Sequence, residues 1–375
     1  GAPSYIGRMN LSLPSCHIAG LAMAVLLAAS ATSSAQVATP PADDAVLDVV
    51  AFGSCARQDK PLPIFDTIAD HEPDVFLFIG DNMYADLERF ERTITPDDVA
   101  KAYVELAKAD PFDRFRRDVP IFATWDDHDY GLNDAGVELP FKDTSQTLLL
   151  QFFREPTDSP RWDRAGVYGS WEFGPEDRRV QIILLDTRYH RDAFDQRPGG
   201  RPPGRGPYIA TGDTGRTMLG ETQWTWLKRE LERPADLRLI ASSIQVVAHE
   251  HGWETWGHMP HERTRLFHAI GSAGAEGVVF LTGDRHLMEI SKTQGPDTPY
   301  PIWDFTSSGL NEDTKPVDED NLYRVGPVFR GTNFGLVRID WDADPVTITL
   351  EGRGAEDQVI TRQTVALSEL RLSDP

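Results

Sequence analysis

The feature that most narrows what this chain can fold into is a repeated pairing: a short apolar run, rich in β-branched and aromatic residues, that ends in a polar cluster. Val46–Phe52 runs into Gly53-Ser54-Cys55, and Val75–Ile79 into Gly80-Asp81-Asn82-Met83-Tyr84. Ile121–Thr124 runs into Trp125-Asp126-Asp127-His128-Asp129, and Val278–Leu281 leads to Gly283-Asp284-Arg285-His286. Such runs, bounded by Gly, Pro and Asp, predict buried strands, and Val180–Leu185 and Leu237–Ala241 add two more. Helical patterns lie between several of them. Pro96 opens one with an acidic first turn, and Glu221–Leu231 carries apolar and aromatic residues at helical spacing. After Thr282 the runs Ile302–Phe305, Phe334–Ile339 and Val346–Leu350 predict closing antiparallel strands on an α/β body. With no internal repeat and no clear linker, the expectation is one domain over residues 45–375.

Composition limits the function. The 375 residues are enough for a sizeable core, and 37 Lys+Arg against 59 Asp+Glu give a net charge of −22. That balance argues against nucleic acid or an anionic membrane surface as the main partner, because both require clustered positive charge. The only cysteines, Cys16 and Cys55, exclude a disulfide-stapled framework.

An apolar stretch of 12 residues, Ile18–Ala29, is too short to span a bilayer and is followed by Ala31-Thr-Ser-Ser-Ala35. It reads as a secretory signal over residues 1–35, with an uncleaved anchor or a misplaced start as the alternatives. No Lys or Arg lies between Met9 and His17, an unusual trait for such a signal. Export would place the protein in the periplasm or outside the cell, with no stable membrane anchor. Cys55 would then be an odd thiol in an oxidising compartment, either buried and inert or chemically employed.

In open α/β sheets ligands bind at the carboxyl ends of strands, where these polar clusters lie. Each has a bland reading when taken alone. Gly80-Asp81-Asn82 is turn chemistry, Cys55 a small buried hydrophobe, and Asp126 and Asp127 point to opposite sides of an extended chain. Their joint occurrence offers thiolate, carboxylate, phenolate and imidazole groups at one rim, a ligand set for more than one metal ion. Two further stretches stay open. Arg197–Gly206, with its Pro and Gly, is a solvated loop or a basic rim that steers an anionic substrate. His249 and His251 are metal ligands, part of a substrate rim or surface histidines.

These motifs resemble the PhoD-like phosphatases, the alkaline phosphatase D branch of the calcineurin-like metallophosphoesterases. Gly80-Asp81-Asn82-Met83-Tyr84, Asp127-His128-Asp129, Gly283-Asp284-Arg285-His286 and Gly53-Ser54-Cys55 carry the resemblance. So do Leu185-Asp-Thr-Arg188, the motif from Leu219 to Leu227, and Ser307-Ser-Gly309, in the right order over about residues 46–355. The chain departs from many such enzymes in having no Arg-Arg pair and no β-sandwich before its first core strand. The resemblance implies a four-layer α-β-β-α metallophosphoesterase sandwich with C-terminal antiparallel strands. It also implies Fe(3+) held by Cys55, Asp81, Tyr84 and His286, with Asp81 bridging to Ca(2+) completed by Asp127 and Asp284. Other divalent metals fit the same donors.

The implied activity is a phosphoric ester hydrolase, a phosphomonoesterase or phosphodiesterase using a metal-bound hydroxide on small-molecule phosphate esters. His128 is the expected proton donor, Arg188 and Arg285 the expected phosphate clamps, and Asn133 a contact to the substrate or second metal. The alternatives are a phospholipase-type phosphodiesterase and, in another class, a non-catalytic metal- or phosphate-binding protein. The sequence does not indicate an oligomeric state.

Overall fold

The computed structural model of the chain describes residues 37–87, 93–312 and 319–372. The expected export segment and Cys16 lie outside the described residues. In chain order the strands are β1 (Val49–Gly53), β2 (Val75–Ile79), β3 (Ile121–Thr124), β4 (Gly169–Phe173), β5 (Val180–Leu184), β6 (Asp195–Gln196) and β7 (Tyr208–Ile209). They continue as β8 (Leu237–Ser242), β9 (Val278–Thr282), β10 (Met288–Thr293), β11 (Ile302–Ser307), β12 (Asn333–Asp340), β13 (Thr347–Gly354) and β14 (Val359–Ala366). One six-stranded sheet has the order β14-β13-β12-β1-β2-β3 and the other β10-β11-β9-β8-β5-β4, while β6 and β7 pair as a short ribbon.

The two sheets share an apolar core, and strand alternation explains why. Along the fully buried β2, Val75, Leu77 and Ile79 belong to that core with Ile182, Leu239 and Leu281 of the other sheet. Phe76 and Phe78 point the other way, where Phe65 of the helix Ile64–Ala69 and Phe112 and Phe115 of the helix Asp110–Asp118 cover them. The second sheet is covered by the helices Gly220–Leu231 and Pro260–Ser272, joined where Trp224 Nε1 donates to Glu262 Oε2 at 2.8 Å. The result is a four-layer α-β-β-α arrangement.

Strands β1, β2 and β3 run parallel, as do β5, β8, β9 and β11, so the carboxyl ends of both sets deliver their loops to one rim. The C-terminal runs are not simply an antiparallel tail. Ile302–Ser307 lies parallel to β9, and β12 enters the first sheet antiparallel to β1, so the end of the chain completes both sheets. Among the described residues no helix is long and apolar enough to cross a membrane.

Candidate metal centre

Four of the residues that leave these strands adopt left-handed backbone: Cys55 (φ 63°), Asp81 (φ 47°), Asp284 (φ 69°) and His286 (φ 50°). Non-glycine residues pay roughly 1–3 kcal/mol each for such a conformation, and it persists only where the surroundings impose it. Gly80 serves the same turn. Its φ is 117°, and a Cβ there would stand 2.7 Å from the Cβ of Asp126, so only glycine lets β2 end this close to the β3 loop.

The turns bring Cys55, Asp81, Tyr84 and His286 together. Cys55 Sγ lies 3.4 Å from Asp81 Oδ2, the Tyr84 hydroxyl donates to that same oxygen at 3.1 Å, and it lies 3.1 Å from His286 Nε2. Ser308 braces the group, its hydroxyl 3.2 Å from Cys55 Sγ and accepting from the backbone N–H of His286 at 2.9 Å. Burial, then Asp81, pushes the Cys55 thiol and the Tyr84 phenol well above their ordinary values. Burial likewise raises the Asp81 carboxyl, against the pull of His128, and lowers His286 to about 3. Cys55, Asp81 and Tyr84 therefore favour their uncharged forms until a cation enters and reverses that preference, whereas His286 is already in the neutral form that binds a cation.

Carboxylates dominate the adjoining space. Ligand atoms of Asp81, Asp127 and His128, of Asp126, Asp127 and Asp284, and of Asp127, Asp134 and Glu254 each lie within 4.8 Å of one another. An extended chain would separate Asp126 from Asp127. The chain instead enters a helical turn, Asp127–Tyr130, so both carboxylates join one group with Asp284. Asp126 is buried and its Oδ2 has no hydrogen-bond partner among the described residues. Burial raises the Asp126 carboxyl to about 6. Asp127 is held well below the carboxylate range despite burial, by His128, by Arg188 and by the Asp134 N–H at 2.6 Å. Packed acids with an orphan buried oxygen are what a hard cation with oxygen ligands would satisfy.

His128 is positioned by a residue that sequence reasoning missed. Its Nδ1 lies 2.6 Å from Asp86 Oδ1, and its ring stacks on Tyr84 at 4.1 Å between centroids. Burial opposes the charge on His128, but Asp127, Asp81 and Asp86 together raise its pKa well above the usual value. Asn133 lines the cavity, and its backbone N–H donates to Asp86 Oδ2 at 2.9 Å. Asp86 stands two residues beyond Tyr84 on the same loop, and that proximity was the available signal.

Arg188, the expected phosphate clamp, does not line the cavity. It is fully buried, donates from Nε to Asp126 Oδ1 at 2.6 Å and lies 2.5 Å from Glu254 Oε2, so it organises the acids from behind. Glu254, which also meets Arg191 at 2.9 Å, had no sequence signal. Arg285 does reach the cavity, where it meets Glu319. His249 and His251 join none of the ligand groups among the described residues. His249 Nδ1 lies 2.9 Å from the Val247 carbonyl, and His251 Nδ1 accepts from the Trp253 N–H at 3.0 Å.

These side chains line a cavity of about 320 Å³ that includes Asp81, Asp127, Asp284, His286, Arg285 and Trp253. A cavity of equal volume lies at the opposite ends of β5, β8 and β9, lined by Arg179, Arg233 and Glu176, and brings no such ligand group together among the described residues.

Comparison with known proteins adds the following. A family profile described as PhoD-like phosphatase matches residues 50–347. Alkaline phosphatase D of Bacillus subtilis (strain 168) is 27% identical over 262 residues, which are 60% of this chain and 43% of that protein. The chain thus aligns with under half the length of that curated relative. A solved structure of PhoD superposes with a TM-score of 0.67 at 17% identity, covering 90% of this chain and 73% of that one. Purple acid phosphatase PPD1 from yellow lupin (Lupinus luteus) seeds superposes with a TM-score of 0.57 at 13% identity, covering 88% and 55%. At these identities the two structures speak for the fold.

Proposed function

The chain belongs to the PhoD-like phosphatase family, and from that premise we propose that it is an exported, metal-dependent hydrolase of small phosphoric esters. The observation that carries the proposal is the convergence of two unlike donor sets on Asp81. One holds Cys55, Asp81 and His286 with the Tyr84 hydroxyl beside them, and the other holds the carboxylates of Asp81 and Asp127 with His128 beside them. The first set, soft sulfur with phenol and imidazole, suits ferric iron, and the all-carboxylate group of Asp126, Asp127 and Asp284 suits calcium. Bound there, the two cations would neutralise the phosphoryl group and lower the pKa of water from about 15.7 towards 7.

The chain's own residues supply the rest. Asp81 is shared by the Cys55–His286 group and the Asp127–His128 group, and Asp127 in turn joins Asp126 and Asp284. His128, oriented through Nδ1 by Asp86, is placed to give a proton to the departing ester oxygen. Asn133 stands at the cavity wall as a contact for phosphate oxygens. The apolar run Ile18–Ala29 supports a periplasmic or secreted location.

The test is release of 4-nitrophenol from the monoester and from the bis-ester by protein stripped with chelator and reloaded with iron and calcium. Turnover that returns only with metal, and is lost in Asp81→Asn, supports the reading. No release from either ester by metal-replete protein would leave a binding protein in its place.

A further inference from the structure

We propose that Arg285, Arg330 and Trp253 form a second oxyanion subsite in the wall of the metal cavity, held shut by the chain's own Glu319. It would receive an anionic group, phosphate or carboxylate, that the substrate carries away from the scissile phosphorus; the word substrate alone rests on the reaction proposed above.

The geometry is that of oxyanion recognition. Arg285 Nη2 donates to Glu319 Oε2 at 2.7 Å, Arg330 Nη2 donates to the same oxygen at 3.2 Å, and Trp253 Nε1 donates to Oε1 at 3.0 Å. Two cationic donors and one neutral donor thus meet both oxygens of one carboxylate, with Arg285 and Glu319 each only 7% exposed. Burial works against the charge of Glu319, yet Arg285 and Arg330 keep its carboxyl below the usual range.

A carboxylate does not exhaust the donors. Arg285 Nε is buried and has no acceptor among the described residues, a position that an anion with more oxygens would serve better. Arg201, from the Pro- and Gly-rich loop, stacks over the Trp253 ring at 4.3 Å, and Arg285 lies 5.3 Å from the same ring. Arg201, Arg285 and Arg330 all line the cavity, where Glu319 is the acid that Arg285 and Arg330 face and Asp81, Asp127, Asp134 and Asp284 are the other acids of the lining. Arg205 meets Asp320 at 2.5 Å and donates to the Glu250 carbonyl at 2.9 Å, tying that loop to the residue beside Glu319.

The subsite adjoins the metal centre without coinciding with it. Arg285 lies in sequence between Asp284 and His286, yet Glu319 belongs to none of the ligand groups there. An anion in place of Glu319 is therefore not the one undergoing reaction. The ester class that fits carries two anionic groups, one at the metals and one on the arginines.

Isothermal titration calorimetry on the full chain tests this with two probes, inorganic phosphate and malonate. Three proteins are compared: wild type, Glu319→Gln, and Glu319→Gln combined with Arg330→Met. Glu319→Ala repeats the measurement without the neutral acceptor that Gln retains. Glu319→Gln is expected to bind one phosphate equivalent more than wild type, at least about tenfold tighter than any additional binding by wild type. Arg330→Met should remove that equivalent. An extra equivalent of phosphate alone assigns the subsite to phosphate, and one of malonate as well assigns it to oxyanions in general. Unchanged stoichiometry for both probes, or a gain that survives Arg330→Met, overturns the proposal. The titration needs no turnover, so an inactive wild type would sink the proposed reaction and leave this result standing.

Discussion

Asp86 Oδ1 lies 2.6 Å from His128 Nδ1, and the same carboxylate takes the backbone N–H of Asn133 through Oδ2. The carboxylate thus fixes both the ring and the loop behind it, leaving Nε2 as the ring nitrogen available to the cavity that His128 lines. Asp86→Asn should lower kcat by roughly 10- to 100-fold with little change in KM, the pattern of a lost proton-transfer partner. The loss should be larger for an alkyl phosphate than for 4-nitrophenyl phosphate, whose leaving group needs less protonation. Equal losses for the two esters would remove His128 from the proton donor's role.

Arg188 separates a structural role from a substrate contact. Its guanidinium is fully buried between Asp126 and Glu254, and removing it would strip Asp126 of its paired cation and leave Glu254 with Arg191 alone. Breaking such a pair costs about 3–5 kcal/mol, so Arg188→Met should lower the urea midpoint sharply. Arg188→Lys should recover little, because an ammonium cannot reproduce the fork. A variant with wild-type stability and a raised KM would restore the phosphate-clamp reading.

The metal-free protein should gain stability when a candidate ligand is neutralised. Burial, then Asp126 and Glu254, raises the Asp284 carboxyl well above its ordinary value. A carboxyl with a raised folded pKa stabilises the fold below its unfolded pKa of about 3.9 and loses that contribution as pH rises through the folded value. At pH 8 metal-free Asp284→Asn should therefore melt a few degrees above metal-free wild type, and the order should reverse or vanish near pH 4. Metal reloading should stabilise wild type and leave the variant behind.

How much of this was legible in sequence depends on where each residue sits. Cys55, Asp81, Asp284 and His286 follow directly on apolar runs, and the carboxyl ends of their strands meet at one rim of the two sheets, so the pattern of runs and chain order sufficed. Asp126 and Asp127 were separable only for an extended chain, and the helical turn at Asp127 is a tertiary outcome. Arg188 follows β5 as a clamp should, but nothing in Leu185-Asp-Thr-Arg188 reveals that Glu254, 66 residues away, would bury it. Asp86, Glu254 and Glu319 come from loops without periodicity, so only the fold brings them to the site. Ile302–Phe305 was readable as a strand, but its parallel partner β9 was not, since direction is set by topology.

Cys55 sits at 0% exposure against Ser54, Ser308 and Asp81. Serine fits the same space and can hydrogen-bond the same neighbours, so Cys55→Ser should keep the fold while losing the soft donor. Elemental analysis after dialysis should show iron falling well below the wild-type ratio while calcium changes less, with the melting temperature of the metal-free protein close to wild type. Iron retained at the wild-type ratio would remove Cys55 from the ligand set.

His258 predicts the response to acid. Its Nε2 lies 2.7 Å from the Trp253 carbonyl, so the neutral ring donates there, and it packs against Phe194 at 5.3 Å and Tyr208 at 6.0 Å, beneath the Arg-rich loop. Burial pushes the imidazole down to about 4, with Trp253 opposing. A group whose folded pKa is depressed stabilises the fold above its unfolded pKa, about 6.5, and loses that contribution as pH falls through the folded value. The difference corresponds to at most about 3 kcal/mol. Between pH 7.5 and 4.5 the wild-type urea midpoint should therefore fall more steeply than that of His258→Gln, whose amide keeps the donor to Trp253 but does not titrate. Identical slopes for the two proteins would place the acid sensitivity elsewhere in the chain.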